Sequence, residues 1–336
     1  KNLMDIDKSF QDQLIKITQE AAISVYPYLG KNNKIIADEA ATNSMRTNLN
    51  KMNIKGTIVI GEGEMDEAPM LYIGEKVGTK KGPELDIAID PLEGTNFVAK
   101  NLPGAISVIA ISKKNDLFNA PESYMEKISY PKGIDHNAID LDFSLKKNLS
   151  NLADSKNKKF ESLRICVLDR PRHKKIIDEA RSLKIDVKLI TDGDVSGALL
   201  VTEEKYNIDL FLGTGGGPEG VLAASALDTY GCGFQGRFIF DTDELKKRAN
   251  KMGINNFDKK YRLDEIVKGD SLFCATGITK GDLVNGLELI NNKMVVNTLI
   301  THKSQNTKKI VTGEIDIKKW YLFLGKSGKN TKYQNV

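Results

Sequence analysis

Short β-branched segments alternate with helical stretches through the second half of the chain, and this alternation restricts the fold more than any other feature. The predicted elements follow in the order strand Leu163–Leu168, helix Pro171–Leu183, strand Val187–Ile190, helix Val195–Val201, strand Ile208–Leu212 and helix Glu219–Leu227. Strands that alternate with helices in this way form a sheet that the helices cover. The sequence therefore predicts an α/β fold for this half.

The first half begins with two predicted helices. Apolar residues recur three or four positions apart and so fall on one helical stripe, at Phe10, Leu14, Ile17, Ala21 and Val25. Ser9, with Asp12 three residues later, resembles the acidic form of a capping box at the start of this helix. A second helix is predicted from Ile35 to Met52, closed by Gly56.

Three short strands are predicted next, at Gly56–Gly61, Leu85–Asp90 and Gly104–Ser112. The stretch from Asp116 to Asp154 is polar and poorly periodic, so a domain boundary is expected around residues 150–162. At about 150 residues per domain, a chain of 336 residues fits two domains. We expect an α+β domain of residues 1–155, which holds most of the acidic motifs, and an α/β domain of residues 156–336.

Charge and cysteine content narrow the class of protein. Forty-nine basic and 45 acidic residues give a net charge of +4, too small and too dispersed to indicate a nucleic-acid or membrane partner. The three cysteines lie far apart and form no zinc motif, which favours a reduced, cytoplasmic protein. No apolar run reaches membrane-spanning length, and the first residues lack the apolar core of a signal peptide. The three histidines lack zinc-protease spacing and are predicted at the surface, at His136, His173 and His302.

The sharpest local motif runs from Asp90 to Thr95, with the sequence DPLEGT. A strand delivers Asp90, Pro91 is expected to end the ladder, and Gly94 permits a tight turn. Two carboxylates and the Thr95 hydroxyl would then converge at one strand end. The same residues also fit a plain strand-to-helix turn in which Thr95 caps the helix.

Three further acids lie beside glycine or other small residues. Glu62 follows the strand Gly56–Gly61 between glycines, Asp38 lies among small residues on the second helix, and Glu219 begins a helix after a glycine-rich strand end. The segment Gly215–Gly220 also satisfies G-x-G-x-x-G, and Asp241 lies close to the Rossmann spacing, so a dinucleotide site is a rival interpretation. Against it, a carboxylate at the helix start would face the pyrophosphate.

Asp38, Glu62, Asp90, Glu93 and Glu219 would need counter-ions if they met in one cleft. Two carboxylates about 4 Å apart repel by roughly 4 kcal/mol at an effective dielectric constant of about 20. Oxygen-only ligands without histidine or cysteine favour Mg²⁺ or Mn²⁺ over zinc. Hard cations of this kind usually share phosphate oxygens with a substrate, so the pattern indicates phosphoryl chemistry.

A cationic motif complements the acids. Arg170-Pro171-Arg172 follows a predicted strand and begins a helix, and arginine matches phosphate geometry well. Asp192-Gly193-Asp194 ends another strand and could accept hydrogen bonds from sugar hydroxyls, although a plain Asp-Gly turn explains it nearly as well. Tyr124 is ambiguous by itself.

The chain resembles the class II fructose-1,6-bisphosphatases in five blocks of sequence. These are GTIVIGEGEMDEAPMLYIGEKVG (Gly56–Gly78), DIAIDPLEGT (Asp86–Thr95), DGDVSGALL (Asp192–Leu200), GTGGGPEGVLAA (Gly213–Ala224) and FCATGITKGDL (Phe273–Leu283). The resemblance implies the layered α-β-α-β-α fold of the lithium-sensitive, metal-dependent sugar phosphatases. The wider superfamily usually has aspartate where this chain has Glu93, which weakens an interpretation as an inositol monophosphatase.

The resemblance also assigns roles to residues. It implies metal ligation of Mg²⁺ or Mn²⁺ by Asp38, Glu62, Asp90, Glu93 and Glu219. It implies substrate contacts by Glu93, Gly94, Thr95, Tyr124, Arg170, Pro171, Arg172, Asp192, Gly193, Asp194 and Gly216. Thr95, Glu62 and Asp90 would act in catalysis, and the protein would be a homo-oligomer, a dimer or a tetramer.

The expected reaction is hydrolysis of the 1-phosphate of fructose 1,6-bisphosphate by metal-activated water, which is a step of gluconeogenesis. Sedoheptulose 1,7-bisphosphate is the nearest alternative substrate, alone or with the fructose ester. A dinucleotide-dependent oxidoreductase and a catalytically silent phosphosugar-binding protein remain as interpretations from other classes.

Overall fold

The computed structural model describes residues 5–63 and 71–318, and these form two β-sheets with helices on and between them. Among the described residues the helices are α1 Phe10–Val25, α2 Lys34–Leu49, α3 Thr95–Lys100, α4 Leu145–Lys156, α5 Lys174–Ser182, α6 Asp194–Leu199, α7 Gly217–Tyr230, α8 Asp243–Lys251 and α9 Leu263–Ile266. The strands are β1 Lys55–Ile60, β2 Lys76–Val77, β3 Glu84–Glu93, β4 Ile106–Lys113, β5 Tyr124–Tyr130, β6 Arg164–Leu168, β7 Asp186–Ile190, β8 Leu210–Gly216, β9 Gly233–Ile239, β10 Tyr261–Arg262, β11 Ser271–Gly277, β12 Glu288–Ile290, β13 Lys293–His302 and β14 Thr307–Asp316.

The strands form two sheets of mixed direction. Sheet I has the order β12-β13-β11-β4-β3-β1-β2, and β14 also pairs with β13. Sheet II has the order β10-β9-β5-β8-β6-β7. The parallel pairs are β1 with β3 in sheet I, and β6 with both β7 and β8 in sheet II. In sheet II these parallel strands are joined through α5 and α6, as the strand–helix alternation predicts.

The helices divide into three layers around the two sheets. α1 and α2 pack on the outer face of sheet I, α6 and α7 lie between the sheets, and α4 and α5 cover the outer face of sheet II. α7 contacts strands of both sheets, and a helix enclosed on all sides is apolar all round. Its buried residues accordingly include Val221, Leu222, Ala224 and Leu227. The predicted α-β-α-β-α architecture is thus confirmed.

The two N-terminal helices are confirmed, although the details of their ends differ from the prediction. The stripe residues of α1 are buried, but Ser9 already has helical dihedral angles and its side chain makes no capping hydrogen bond. The predicted capping box is therefore wrong. The second helix, α2, does have a side-chain cap, since the Asn33 side chain accepts a hydrogen bond from the Ile36 N–H. Gly56 lies within β1 rather than closing α2.

The sheets do not follow the predicted division of the chain at residues 150–162. β5 lies before that point and belongs to sheet II, whereas β11, β12, β13 and β14 lie after it and return to sheet I. The segment 116–154 contains β5, which the sequence analysis did not predict. The strand pattern is hidden because β5 is short and one of its buried residues is a lysine. The division into residues 1–155 and 156–336 stays a prediction, and residues after 318 lie outside the described part.

Within residues 5–63 and 71–318, the structure contains no helix with the length and apolar character needed to cross a membrane.

Candidate active site

The five acids of the predicted metal site reach one region from four elements. β1 and β3 are parallel neighbours, so Glu62 after β1 and Asp90 near the end of β3 meet at the same edge of sheet I. Asp38 comes from α2, which packs against β3, and Glu219 lies in the first turn of α7 between the sheets. We call Asp38, Glu62, Asp90, Glu93 and Glu219 the acidic cluster.

A bulge at the end of β3 presents two of these carboxylates. Asp90 pairs with Val108 of β4 and Glu93 pairs with Ile106, so β3 has one extra residue across this interval. The prediction that Pro91 ends the strand is wrong, because a bulge leaves residues outside the ladder and tolerates a residue without an N–H. The extra residue changes the direction in which the following side chains point.

The electrostatics link the five acids through Asp90. Burial raises the pKa of Asp90 well above its ordinary value, and the charges of the other four acids raise it further. Burial, with Asp38 nearby, raises the pKa of Glu62 to about 8, and burial raises that of Asp38 to about 6. Burial also raises the pKa of Glu93 and of Glu219. So much negative charge cannot stay ionised without cations.

Each acid of the cluster has a carboxylate oxygen that is buried and has no hydrogen-bond partner. These atoms are Asp38 Oδ1, Glu62 Oε2, Asp90 Oδ1, Glu93 Oε2 and Glu219 Oε2. Buried polar atoms normally find a partner, so unpartnered oxygens from five separate side chains fit ligands for a hard divalent cation. Among the described residues, no three His, Cys, Asp or Glu side chains already have the spacing of a metal site. The acids therefore converge without closing into a finished coordination shell.

Glu93 connects the acidic cluster to the second half of the chain. Its Oε1 accepts a hydrogen bond of 2.7 Å from the backbone N–H of Val195 in α6, while its Oε2 stays unpartnered. Gly94 follows in a left-handed conformation with φ of +87°, and Thr95 begins α3 beside it, half-buried. The DPLEGT motif thus bridges sheet I and the interlayer helices.

Gly216 and Glu219 approach each other closely at the start of α7. A Cβ atom at Gly216 would collide with the Glu219 Oε2 atom, so the carboxylate folds back over the end of β8. This is the space that the pyrophosphate of a dinucleotide would occupy at a G-x-G-x-x-G turn. The side chain at position 219 therefore disfavours the dinucleotide interpretation.

The predicted cationic motif lies at the end of β8. Arg172 donates from Nε to the Thr214 carbonyl oxygen at 2.8 Å, and its guanidinium lies 5.2 Å from the ring centroid of Tyr124. Arg170 donates from Nη1 to the Thr191 carbonyl oxygen, and Pro171 begins the short 3₁₀ turn that follows. Arg172 and Tyr124 are exposed. They can both face an anionic ligand.

The DGD motif follows β7, which ends at Ile190, and its last residue, Asp194, begins α6. Asp192 Oδ1 accepts from the Gly193 N–H at 2.9 Å, and burial raises the Asp192 pKa. Asp194 is buried, with one oxygen bound by Lys127 and the other, Oδ1, unpartnered. The charges of both aspartates also act on Glu93, which places this motif beside the acidic cluster.

The sequence prediction missed Lys127 and His173. Lys127 is 1 % exposed, and its Nζ donates to Asp194 Oδ2 and to the Gly216 carbonyl oxygen at 2.7 Å. Lys127 lies on the same face of β5 as the buried residues Met125 and Ser129, but the strand is too short for this alternation to be clear in the sequence. His173 and His302 were expected at the surface, and both are buried. Helical spacing with the buried Ile177 could have indicated burial of His173.

A cavity of about 400 Å³ opens beside these groups. Its lining includes Glu219 of the acidic cluster, Gly216, and Tyr124, whose ring lies under the Arg172 guanidinium. It also includes Glu122, whose charge raises the pKa of Glu62 and Glu219. A ligand in this cavity would meet the Tyr124 ring and the carboxylates of Glu122, Glu219 and Asp241.

Sequence comparison with known proteins shows the family to which the chain is related. The family described as bacterial fructose-1,6-bisphosphatase, glpX-encoded, matches residues 8–315. A D-fructose 1,6-bisphosphatase class 2/sedoheptulose 1,7-bisphosphatase of Synechocystis sp. is 39 % identical over 331 residues, covering 91 % of this chain and 96 % of its own. The fructose-1,6-bisphosphatase 1 class 2 of Escherichia coli K12 is 40 % identical over 310 residues, covering 88 % and 92 %.

Similarity to solved structures is weaker. A structure titled inositol monophosphatase-fructose 1,6 bisphosphatase has a TM-score of 0.31 and 13 % identity, covering 55 % of this chain and 68 % of its own. That similarity is too low to support a conclusion, whereas the family match spans nearly the whole sequence. The chain belongs to the glpX-encoded family of bacterial fructose-1,6-bisphosphatases.

Proposed function

We propose that this protein hydrolyses the 1-phosphate of fructose 1,6-bisphosphate to give fructose 6-phosphate and inorganic phosphate. One observation carries the proposal. Five carboxylates converge, each with one buried and unpartnered oxygen, and one of them, Glu219, lines the same cavity as Tyr124, over which Arg172 lies. Such an arrangement suits a substrate with two phosphates, one held beside cations at the acidic cluster and the other bound by the arginine.

The acidic cluster would hold the divalent cation through Asp38, Glu62, Asp90, Glu93 and Glu219. A bound Mg²⁺ or Mn²⁺ ion supplies charge neutralisation at phosphorus and lowers the pKa of water. This role is supported by the donor set, which contains oxygen ligands only. The choice between the two metals is part of the proposal, and a titration of activity with each metal tests it.

The chain's own residues would position the substrate and move a proton. Tyr124, Arg170 and Arg172 would bind the 6-phosphate, and this fixes the 1-phosphate at the other end. Asp192 and Asp194 would accept hydrogen bonds from sugar hydroxyls, with the backbones of Gly193 and Gly216 beside them. These roles are supported by the position of both motifs around the carboxylates.

Proton transfer would take place at the end of β3. The Thr95 hydroxyl, next to Glu93 and Gly94, would orient the attacking water and pass its proton to a neighbouring carboxylate, Glu62 or Asp90. Both carboxylates belong to the acidic cluster, and the charge of Glu62 acts on Asp90. Loss of the Thr95 hydroxyl would then slow hydrolysis without removing substrate binding.

A phosphate-release assay on a panel of sugar phosphates tests this function. We expect fructose 1,6-bisphosphate to be hydrolysed in the presence of Mg²⁺ or Mn²⁺, with fructose 6-phosphate as the product. Thermal stabilisation by the bisphosphate without phosphate release would instead indicate a silent phosphosugar-binding protein. Saturable NAD binding in the absence of phosphatase activity would favour the oxidoreductase.

Sedoheptulose 1,7-bisphosphate is a second candidate substrate. It is favoured by the name of the Synechocystis relative, which includes both activities. The added hydroxymethine group requires no change in the motif residues. Turnover on the two esters, measured under the same conditions, decides between a single and a dual specificity.

We also propose a cytoplasmic homo-oligomer of two or four subunits. The cytoplasmic location is supported by Cys166, Cys232 and Cys274, which are buried free thiols. The oligomeric state is supported only by the resemblance of the sequence blocks to the class II enzymes. Light scattering coupled to size-exclusion chromatography measures it directly.

A further inference from the structure

His173 occupies a gap in sheet II next to the arginine turn. β6 ends at Leu168, and its ladder to β8 covers only Ile165 with Leu210 and Cys166 with Phe211. Beyond that point the His173 imidazole bridges the end of β6 and strand β8. His173 Nδ1 lies 2.7 Å from the Leu168 carbonyl oxygen, and the Thr214 N–H donates to His173 Nε2 at 2.8 Å.

These contacts fix the protonation of the ring. A backbone N–H can only donate, so Nε2 must accept, and Nδ1 therefore carries the proton that it donates to Leu168. Burial lowers the pKa of His173, and the charges of Arg172 and Arg170 lower it further. The ring is thus neutral at pH 7 and supplies one donor and one acceptor in a fixed direction.

The same residue of β8 holds both His173 and Arg172. Thr214 donates its N–H to the imidazole and accepts the Arg172 Nε–H on its carbonyl oxygen at 2.8 Å. The ring also packs against Gly213, where a Cβ atom would lie 3.0 Å from His173 Cε1 and Nε2 and where φ is +150°. The close approach requires glycine at that position. Few conformations of the arginine turn satisfy all of these contacts.

We propose that His173 is a positioning residue that holds the turn Arg170–Arg172 against β8, so that Arg172 meets the substrate phosphate farthest from the acidic cluster in a fixed geometry. The inference rests on the proposed function, since it concerns how a bisphosphate is held at its non-reacting end. His173 contacts backbone atoms and does not touch the substrate. Its effect passes through Arg172, whose guanidinium stacks over Tyr124.

The test compares two amides that differ by one methylene. In His173→Gln the amide reaches the place of Nε2 and can accept from the Thr214 N–H, whereas the shorter His173→Asn side chain cannot. We expect H173N to raise the KM for fructose 1,6-bisphosphate about tenfold. A loss of this size corresponds to one weakened hydrogen bond between Arg172 and the substrate phosphate. We expect H173Q to restore the wild-type KM to within about threefold, and kcat to change little in both.

His302 provides a matched control. It is also fully buried and uses both ring nitrogens, with Gln11 and Asp270, but it lies opposite Leu272 at the far end of β11 from the site. His302→Asn should lower the free energy of unfolding and leave the KM unchanged. If H173N is too unstable to purify, H173Q measured beside Arg172→Lys serves, with a wild-type KM expected in the first and a raised KM in the second.

Two results would overturn the inference: a wild-type KM in H173N, or equal KM changes in H173N and H173Q. In the fallback pair, a raised KM in H173Q or a wild-type KM in R172K would do the same. A wild-type protein that releases no phosphate from fructose 1,6-bisphosphate contradicts the proposed function as well. An active wild type with unresponsive His173 variants overturns only the positioning role.

Discussion

Lys127 and Asp194 form an ion pair that is almost completely buried beneath the acidic cluster, with side chains 1 % and 8 % exposed. Lys127 also donates to the carbonyl oxygen of Gly216, directly before α7. The pair therefore ties β5 to α6 and to the turn that carries Glu219. The lysine places one fixed positive charge under a region that is otherwise strongly negative.

Replacing Lys127 with methionine should lower the free energy of unfolding by about 3–5 kcal/mol, because Asp194 would stay buried without its counter-charge. The double variant K127M/D194N should recover part of this loss, since no uncompensated charge remains. Chemical denaturation of the wild type, both single variants and the double variant measures the coupling. Strictly additive effects would contradict the account of this pair.

Replacing Gly216 with alanine should displace the Glu219 carboxylate, since the new Cβ would collide with it. We expect the metal concentration for half-maximal activity to rise about 10- to 100-fold, the usual cost of disturbing the support of a metal ligand. Gly281→Ala is the control, because its Cβ would meet nothing closer than 3.4 Å. Equal metal dependence of the two variants would show that position 219 is not a ligand.

Replacing Thr95 with alanine should lower kcat about 10²- to 10⁴-fold, the range expected for a proton-transfer group, while the KM changes little. Thr95→Ser retains the hydroxyl and should retain most of the turnover. Steady-state phosphate release with both variants measures the difference. An unchanged kcat in T95A would remove Thr95 from the mechanism.

The stability of the protein should depend on pH through Asp270. Burial acts to raise the pKa of this carboxyl, but hydrogen bonds from His302, Ser304 and the Ile6 N–H outweigh it and hold the pKa below the ordinary 3.8. A depressed folded-state pKa stabilises the fold above the unfolded value, and the stabilisation is lost as pH falls through the folded value.

Asp270→Asn should therefore be less stable than the wild type by about 2–3 kcal/mol at pH 7, as expected for hydrogen bonds to a charged acceptor. The gap should narrow as pH falls below the ordinary value of 3.8. Urea denaturation of both proteins at pH 7 and in acid gives the difference directly. A gap that is the same at every pH would mean that the charge of Asp270 contributes nothing.

The sequence predicts the parts of the fold that depend on periodicity. The apolar stripe of α1 and the alternation of β6, α5, β7 and α6 are periodic patterns, and the structure contains these elements close to the expected positions. The prediction fails where tertiary contacts decide. Pro91 remains in the strand because it lies in a bulge, where no ladder hydrogen bond from its backbone nitrogen is needed. The local sequence gives no sign of that bulge.

For the site, the sequence predicts individual residues better than the contacts between residues distant in the chain. Glu62, Asp90 and Glu93 belong to strand ends that the sequence predicts, and the charges of Asp38 and Glu219, which come from helices, also act on Asp90. Lys127 and His173 were missed because each is buried by partners distant in the chain, Asp194 for the first and Thr214 for the second. A buried polar side chain is detectable from sequence only when its apolar neighbours are periodic, and β5 is too short to make that pattern clear.

The most direct test of the acidic cluster is phosphate release from fructose 1,6-bisphosphate before and after exhaustive chelation of divalent metal. The account predicts that chelation abolishes release in the wild type and that Mg²⁺ or Mn²⁺ restores it. It also predicts that neither metal rescues Asp90→Asn at concentrations sufficient for the wild type. Phosphate release that survives exhaustive chelation would contradict the claim that these five carboxylates form a divalent-metal site.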